Sequence, residues 1–172
     1  VVLRSTRIQV QGGASEVARV AVTVERPMLW SAENPKLYQL HARVTETGTY
    51  RTHAVPTENG SVDETATLFG IRTVTADVVH GLRINGRVTK LKGGCLHHDN
   101  GILGIVSTYE VELRKLKKLK EIGFNAIRTT HNPPSKALME ACCRIGMYVF
   151  DEAFDVWGMG KMPGDYNQYF DT

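Results

Sequence analysis

The stretch Asn125-Ala126-Ile127-Arg128-Thr129-Thr130-His131-Asn132-Pro133 runs from apolar β-type residues to a cation and an imidazole, and then meets a proline. Proline has no N–H to give to a ladder, so the strand must stop there. A strand that ends on polar groups at its C-terminal side is how a barrel brings chemistry to its mouth. Two further clusters flank it, His97-His98-Asp99-Asn100 and Asp151-Glu152-Ala153-Phe154-Asp155-Val156-Trp157, each closing a predicted strand. Three consecutive polar strand ends point to one site.

The hydrophobic period changes near residue 78. Before it, Thr6 to Val10, Glu16 to Glu25, Lys36 to Thr45 and Ala66 to Ala76 are rich in Val, Thr, Ile and Tyr and tend to alternate. Between them lie Gly12-Gly13, Pro27, Asn34-Pro35, Gly48 and Asn59-Gly60, so they read as antiparallel strands of a β-sandwich. After residue 78 strands and helices alternate. Asn85-Gly86 predicts a tight hairpin leading into a strand from Val88 to Cys95. Ser107 with Glu110 reads as a capping box, and Tyr109, Leu113, Leu116, Leu119 and Ile122 recur at helical spacing up to Gly123. Phe124 to Thr129 returns as a strand, Ser135 caps a second helix that Gly146 ends, and Met147 to Phe150 is a short buried strand. This is the opening of a (β/α)₈ barrel, three strands deep.

Several segments together resemble glycoside hydrolase family 2, which comprises β-galactosidases, β-glucuronidases and β-mannosidases. Leu29-Trp30-Ser31-Ala32-Glu33-Asn34-Pro35-Lys36-Leu37-Tyr38 is similar to the family's L-W-S-P-x-x-P-x-L-Y, and Phe69-Gly70-Ile71-Arg72 to its F-G-[FI]-R. Ile84-Asn85-Gly86-Arg87 and Leu91-Lys92-Gly93-Gly94 follow in the family's order, and Asn125 to Pro133 resembles its N-A-x-R-[ST]-S-H-Y-P, with Asp151-Glu152 matching a D-E. The resemblance implies an immunoglobulin-like β-sandwich over 1–77, N-terminally incomplete, then the first three β/α units of a TIM-barrel catalytic domain over 78–172.

A retaining glycosidase needs two carboxyl groups about 5 Å apart, one acting as acid/base and one as nucleophile. The resemblance places both as glutamates on the fourth and seventh barrel strands, beyond Thr172, so neither catalytic residue is expected in this chain. The expected residues are supporting ones. Arg128 resembles the strand-two arginine that hydrogen-bonds the nucleophile, where a fixed guanidinium keeps a carboxylate ionised; otherwise it is a salt bridge at the rim. His131 resembles the histidine that contacts sugar beside the scissile bond. His97 and Asp99 match an H-E-D whose ends line the sugar subsite, and a carboxylate such as Asp99 can accept from two adjacent hydroxyls. Glu152 is a substrate-side or buried structural carboxylate, and Trp157 either stacks on a sugar face or packs at the barrel end.

The chain also departs from the pattern. Asn132 stands for a tyrosine, Cys143 for a common aspartate, and Phe154 to Gly158 carries no E-T-H by which large bacterial β-galactosidases hold magnesium. No metal and no cofactor are therefore expected; a cluster of His97, His98, Asp99 and His131 lacks any H-x-x-x-H or C-x-x-C spacing.

The 172 residues are 42% hydrophobic and 23% charged, an ordinary globular composition without a membrane-spanning run. A net charge of +3 comes largely from Arg114, Lys115, Lys117, Lys118 and Lys120, read as a solvated helix face, and gives no reason to expect nucleic acid. Cys95, Cys142 and Cys143 make no disulfide framework. The start at Val1 leaves cytoplasm and periplasm both open. The expected partner is a terminal β-linked sugar, galactoside first, with self-association through an exposed barrel edge. The alternative is a non-catalytic carbohydrate-binding or interaction module.

Overall fold

The computed structural model describes residues 2–45, 61–156 and 158–165. Along them run β1 (Tyr38–Thr45), β2 (Ser61–Phe69), β3 (Val74–Asp77), β4 (Gly81–Ile84), β5 (Arg87–Val88), β6 (Gly93–Leu96), α1 (Tyr109–Glu121), β7 (Ala126–Thr129), α2 (Lys136–Ile145) and β8 (Tyr148–Phe150). β1 and β2 pair antiparallel, β3–β4–β5 form an antiparallel meander, and β6–β7–β8 form a parallel sheet.

Among the described residues up to 77 there is less sheet than the alternation predicts, and the turns expected at Gly48 and Asn59-Gly60 lie outside the described residues. Thr6 to Val10 and Glu16 to Glu25 are not strands: no ladder partner faces them among the described residues, and Val17, Val20 and Val22 stand exposed. Strand pairing is a two-body event, and alternation alone cannot satisfy the backbone. The predicted strand from Ala66 to Ala76 is cut in two. At Gly70-Ile71 the backbone leaves the ladder and Ile71 O accepts from Trp30 N at 2.8 Å.

The hairpin at Asn85-Gly86 forms as expected, with φ of 52° and 76°, the left-handed pair that a two-residue turn of this twist requires. The strand expected from Val88 to Cys95 is instead β5 and β6, with a crossing between two sheets. Asn125 brackets that crossing: its Oδ1 accepts from Lys92 N at 2.7 Å and its Nδ2 donates to Lys90 O at 3.0 Å.

α1 starts one residue later than the sequence suggests. Thr108 is the N-cap and accepts from Val111 N at 3.5 Å, while Ser107 turns inward to other partners. α2 is capped as predicted, with Ser135 Oγ accepting from Leu138 N at 3.0 Å and Gly146 closing the C-terminus at φ 78°. Leu116, Ile127, Leu138, Ala141, Cys142 and Met147 form the core between the helices and the parallel sheet, each large side chain contributing roughly 1.5–3 kcal/mol by burial. Ile122 lies past the last turn and is exposed, outside the apolar face assigned to it.

A second cluster, Trp30, Ala32, Ile84, Ala126 and Tyr148, ties the segment before β1 to β4, β7 and β8. Trp30 Nε1 donates to Cys143 O at 2.8 Å, and Tyr148 meets the Trp30 ring edge-on at 5.4 Å. Lys120, expected on a solvated face, reaches inward and donates to Ala32 O and Gly146 O, both at 2.7 Å. Burial lowers its pKa, partly offset by Glu33. Gly146 is required twice over, by its positive φ and because a Cβ there would lie 2.4 Å from Ala32 O. Among the described residues no helix is long and apolar enough to cross a membrane.

Candidate active site

The parallel register places Arg128 opposite Cys95 on one side and Phe150 on the other, so the ends of β6, β7 and β8 lie side by side. Alternation along β7 buries Ala126, Ile127 and Thr129 and leaves Arg128 exposed. Arg128 Nη2 donates to Glu152 Oε1 at 2.9 Å. This bond, and the charge behind it, raise the arginine's pKa above its ordinary value. Thr129 holds the same end from beneath: its Oγ1 donates to Asp151 Oδ1 at 3.3 Å and accepts from Glu152 N at 3.2 Å. Glu152 Oε2 is buried without a hydrogen-bond partner, with His131 Nδ1 3.9 Å away.

His131 follows a cis Thr130–His131 peptide. Its Nδ1 lies 2.9 Å from Asp155 Oδ1, and its ring stands edge-on to that of His97 with centroids 5.2 Å apart. Asp155 also pairs with Lys161. That bond holds its carboxyl below the usual range against the opposing effect of burial, with His131 adding to the lowering.

The structure thus brings His97, Arg128, His131 and Glu152 to one place and adds Asp155, which the sequence reading did not single out. The only signal for Asp155 was its place three residues after Glu152 in an acidic strand end. Asp99 is turned into its own loop, where Oδ1 accepts from Gly101 N at 3.0 Å. Its neighbour Asn100 hydrogen-bonds Glu112 and Lys115 of α1. Trp157 lies outside the described residues. An exposed guanidinium, an imidazole with one nitrogen committed and an unfilled carboxylate oxygen alternate charge over a few ångströms. Such a surface suits a neutral ligand with many hydroxyls, each able to donate and accept.

Two family models match the chain: glycosyl hydrolases family 2 over residues 2–72, and the TIM barrel domain of the same family over 77–170. The chain belongs to glycosyl hydrolase family 2. Among curated relatives, the beta-galactosidase BoGH2A of Bacteroides ovatus is 40% identical over 94% of this chain and 18% of its own length. A putative beta-glucuronidase of Formosa agariphila is 37% identical over 92% of the chain and 14% of its own. Of solved structures, a family 2 member from Bacteroides cellulosilyticus shares 46% identity at a TM-score of 0.71, covering 85% of this chain and 17% of that one. A beta-glycosidase from Bacteroides vulgatus shares 35% at a TM-score of 0.72, covering 86% and 18%. The chain therefore spans less than a fifth of the length of these relatives. Family membership agrees with the order of motifs read from the sequence.

Proposed function

We propose that this chain supplies the sugar-holding part of a retaining exo-β-glycosidase, with a terminal β-galactoside as the preferred substrate. The observation that carries this reading is the Arg128–Glu152 and His131–Asp155 cluster at the C-terminal ends of adjacent parallel strands. Arg128 keeps one nitrogen on Glu152 and offers the rest of its fork to a catalytic carboxylate, holding it ionised. Asp155 accepts from Nδ1 of His131, which fixes that ring and turns Nε2 to a sugar hydroxyl. Such a bond strengthens as charge develops at the transition state. Asp99 keeps one carboxylate oxygen for a second hydroxyl, and His97 stands edge-on to the His131 ring. The acid/base and the nucleophile come from later strands of the same barrel. The galactoside assignment is supported by relatives such as the beta-galactosidase of Bacteroides ovatus.

The outer edges of β6 and β8 are where those later strands join. Expressed alone, the chain presents them as open edges and self-associates, which light scattering detects. The function is tested with aryl β-galactoside, β-glucuronide, β-mannoside and β-glucoside. The full-length protein turns over one of them, and the 172-residue chain turns over none. Turnover by the chain alone, abolished by Glu152→Gln, would overturn the division of labour.

A further inference from the structure

α1 carries a carboxylate where its apolar stripe needs a hydrophobe. Glu112 lies three residues after Tyr109 and four before Leu116, and it is 2% exposed. A buried charge persists only with partners, and these partners are informative. Glu112 Oε1 accepts from Ser107 Oγ at 2.8 Å and from Asn100 Nδ2 at 3.1 Å. Lys115 Nζ lies 2.9 Å from Oε2 without hydrogen-bond alignment, because it is aimed at Asn100 Oδ1, to which it donates at 2.7 Å. Asn100 is therefore held at both ends of its amide by one turn of α1. Its Nδ2 also donates to Val106 O at 2.8 Å, closing the loop on itself. Ser107 continues the chain of contacts with its Oγ 2.6 Å from Ser135 Oγ, the N-cap of α2.

The two ends of this network are the two loops that carry the site. Asn100 follows His97, His98 and Asp99, and Ser135 follows His131 by four residues. We propose that Glu112, with Lys115, is a positioning residue that clamps the loop after β6 to the loop after β7, setting His97 against His131 in the sugar subsite. The subsite half of this inference rests on the function proposed above; the clamp itself does not. An apolar residue at position 112 would serve the core as well, which is why a role in stability alone does not account for a charge there. The network's value is geometric: hydrogen bonds from one buried carboxylate order two loops that share no backbone ladder.

The full-length protein is compared as wild type, Glu112→Gln and the double variant Glu112→Leu/Lys115→Met, which replaces the ion pair by apolar groups of similar size. Amide hydrogen exchange is read over residues 97–107 and 130–135, together with melting temperature and steady-state kinetics. Glu112→Gln speeds exchange in both loops and lowers kcat/KM by about tenfold, chiefly through a higher KM. The double variant keeps the melting temperature yet restores neither exchange protection nor KM. Unchanged exchange in Glu112→Gln refutes the clamp, whatever the activity. A double variant with wild-type KM reduces the network to a stabilising one and refutes the positioning role. Should the wild type hydrolyse no glycoside, the proposed function falls, and the exchange measurement still decides the clamp.

Discussion

Arg128 Nη2 and Glu152 Oε1 meet at 2.9 Å across two neighbouring parallel strands, two residues beyond the register pair Arg128↔Phe150 on the β8 side. The guanidinium is half exposed and the carboxylate mostly covered, so the pair is one-sided. Thr129 pins the backbone of Glu152, Glu152 pins Arg128, and the free face of the guanidinium is left at the mouth of the sheet. Exposed pairs of this kind add little to stability, about 0–1 kcal/mol, so orientation is what the contact provides.

Arg128→Lys keeps the charge and loses the planar fork. In the full-length protein kcat/KM falls by about 10²-fold or more while the melting temperature stays nearly constant. A variant within about threefold of wild type would remove Arg128 from the site.

Gly146→Ala meets two obstacles at once, a positive φ and the Ala32 carbonyl 2.4 Å from the new Cβ. It destabilises by about 2–4 kcal/mol in denaturant unfolding, because Ala32 cannot withdraw without breaking the Trp30–Tyr148 contact. Gly123→Ala, also just past a helix and at positive φ but with no atom within 4 Å of the new Cβ, costs only about 1–2 kcal/mol. Equal costs would show that the segment from Trp30 to Ala32 does not rest on α2.

Burial raises the pKa of Glu112, but the nearby Lys115 ammonium and the hydrogen bonds from Ser107 and Asn100 outweigh it and hold the carboxyl below its ordinary value in the folded chain. A depressed carboxylate stabilises the fold above the unfolded value and loses that contribution as pH falls through the lower folded one. Unfolding free energy therefore drops on acidification through the range below the ordinary glutamate pKa, and Glu112→Gln removes part of that slope. An acid limb with the same slope in both proteins would mean that Glu112 is not charged in its pocket.

Burial also pushes the Cys142 thiol up to about 12, whereas its neighbour Cys143 is exposed. Iodoacetamide at neutral pH labels Cys143 and spares Cys142 until denaturant is added, as peptide mass spectrometry reads directly. Equal labelling of the two would contradict the packing of α2 on the sheet.

The sequence carried most of the barrel portion because its signals are local. Asn85-Gly86, Ser135 and Gly146 each solve a backbone problem within four residues, and each does so in the structure. Long-range competition displaced the rest. Ser107 gave up the helix cap because Glu112 draws it inward, and Lys120 left the solvated face because two carbonyls with no helical partner lie within its reach. The charge at position 112 breaks the stripe of Tyr109 and Leu116, and that break was the readable sign of the network. Asp155 was hidden for a different reason: its pairing with His131 crosses 24 residues, and no spacing rule spans two loops. The alternation from Glu16 to Glu25 misled because it reports a strand's preference and not the presence of a partner.

In the proposed site His131, held by Asp155 beside Arg128, contacts the sugar. Steady-state hydrolysis of the preferred aryl β-glycoside by the full-length protein, wild type against His131→Ala, decides whether that contact exists. Losing a transition-state hydrogen bond lowers kcat/KM by about 10²-fold or more, with the fold intact by circular dichroism. A loss under about threefold would make His131 a structural residue and would contradict the account.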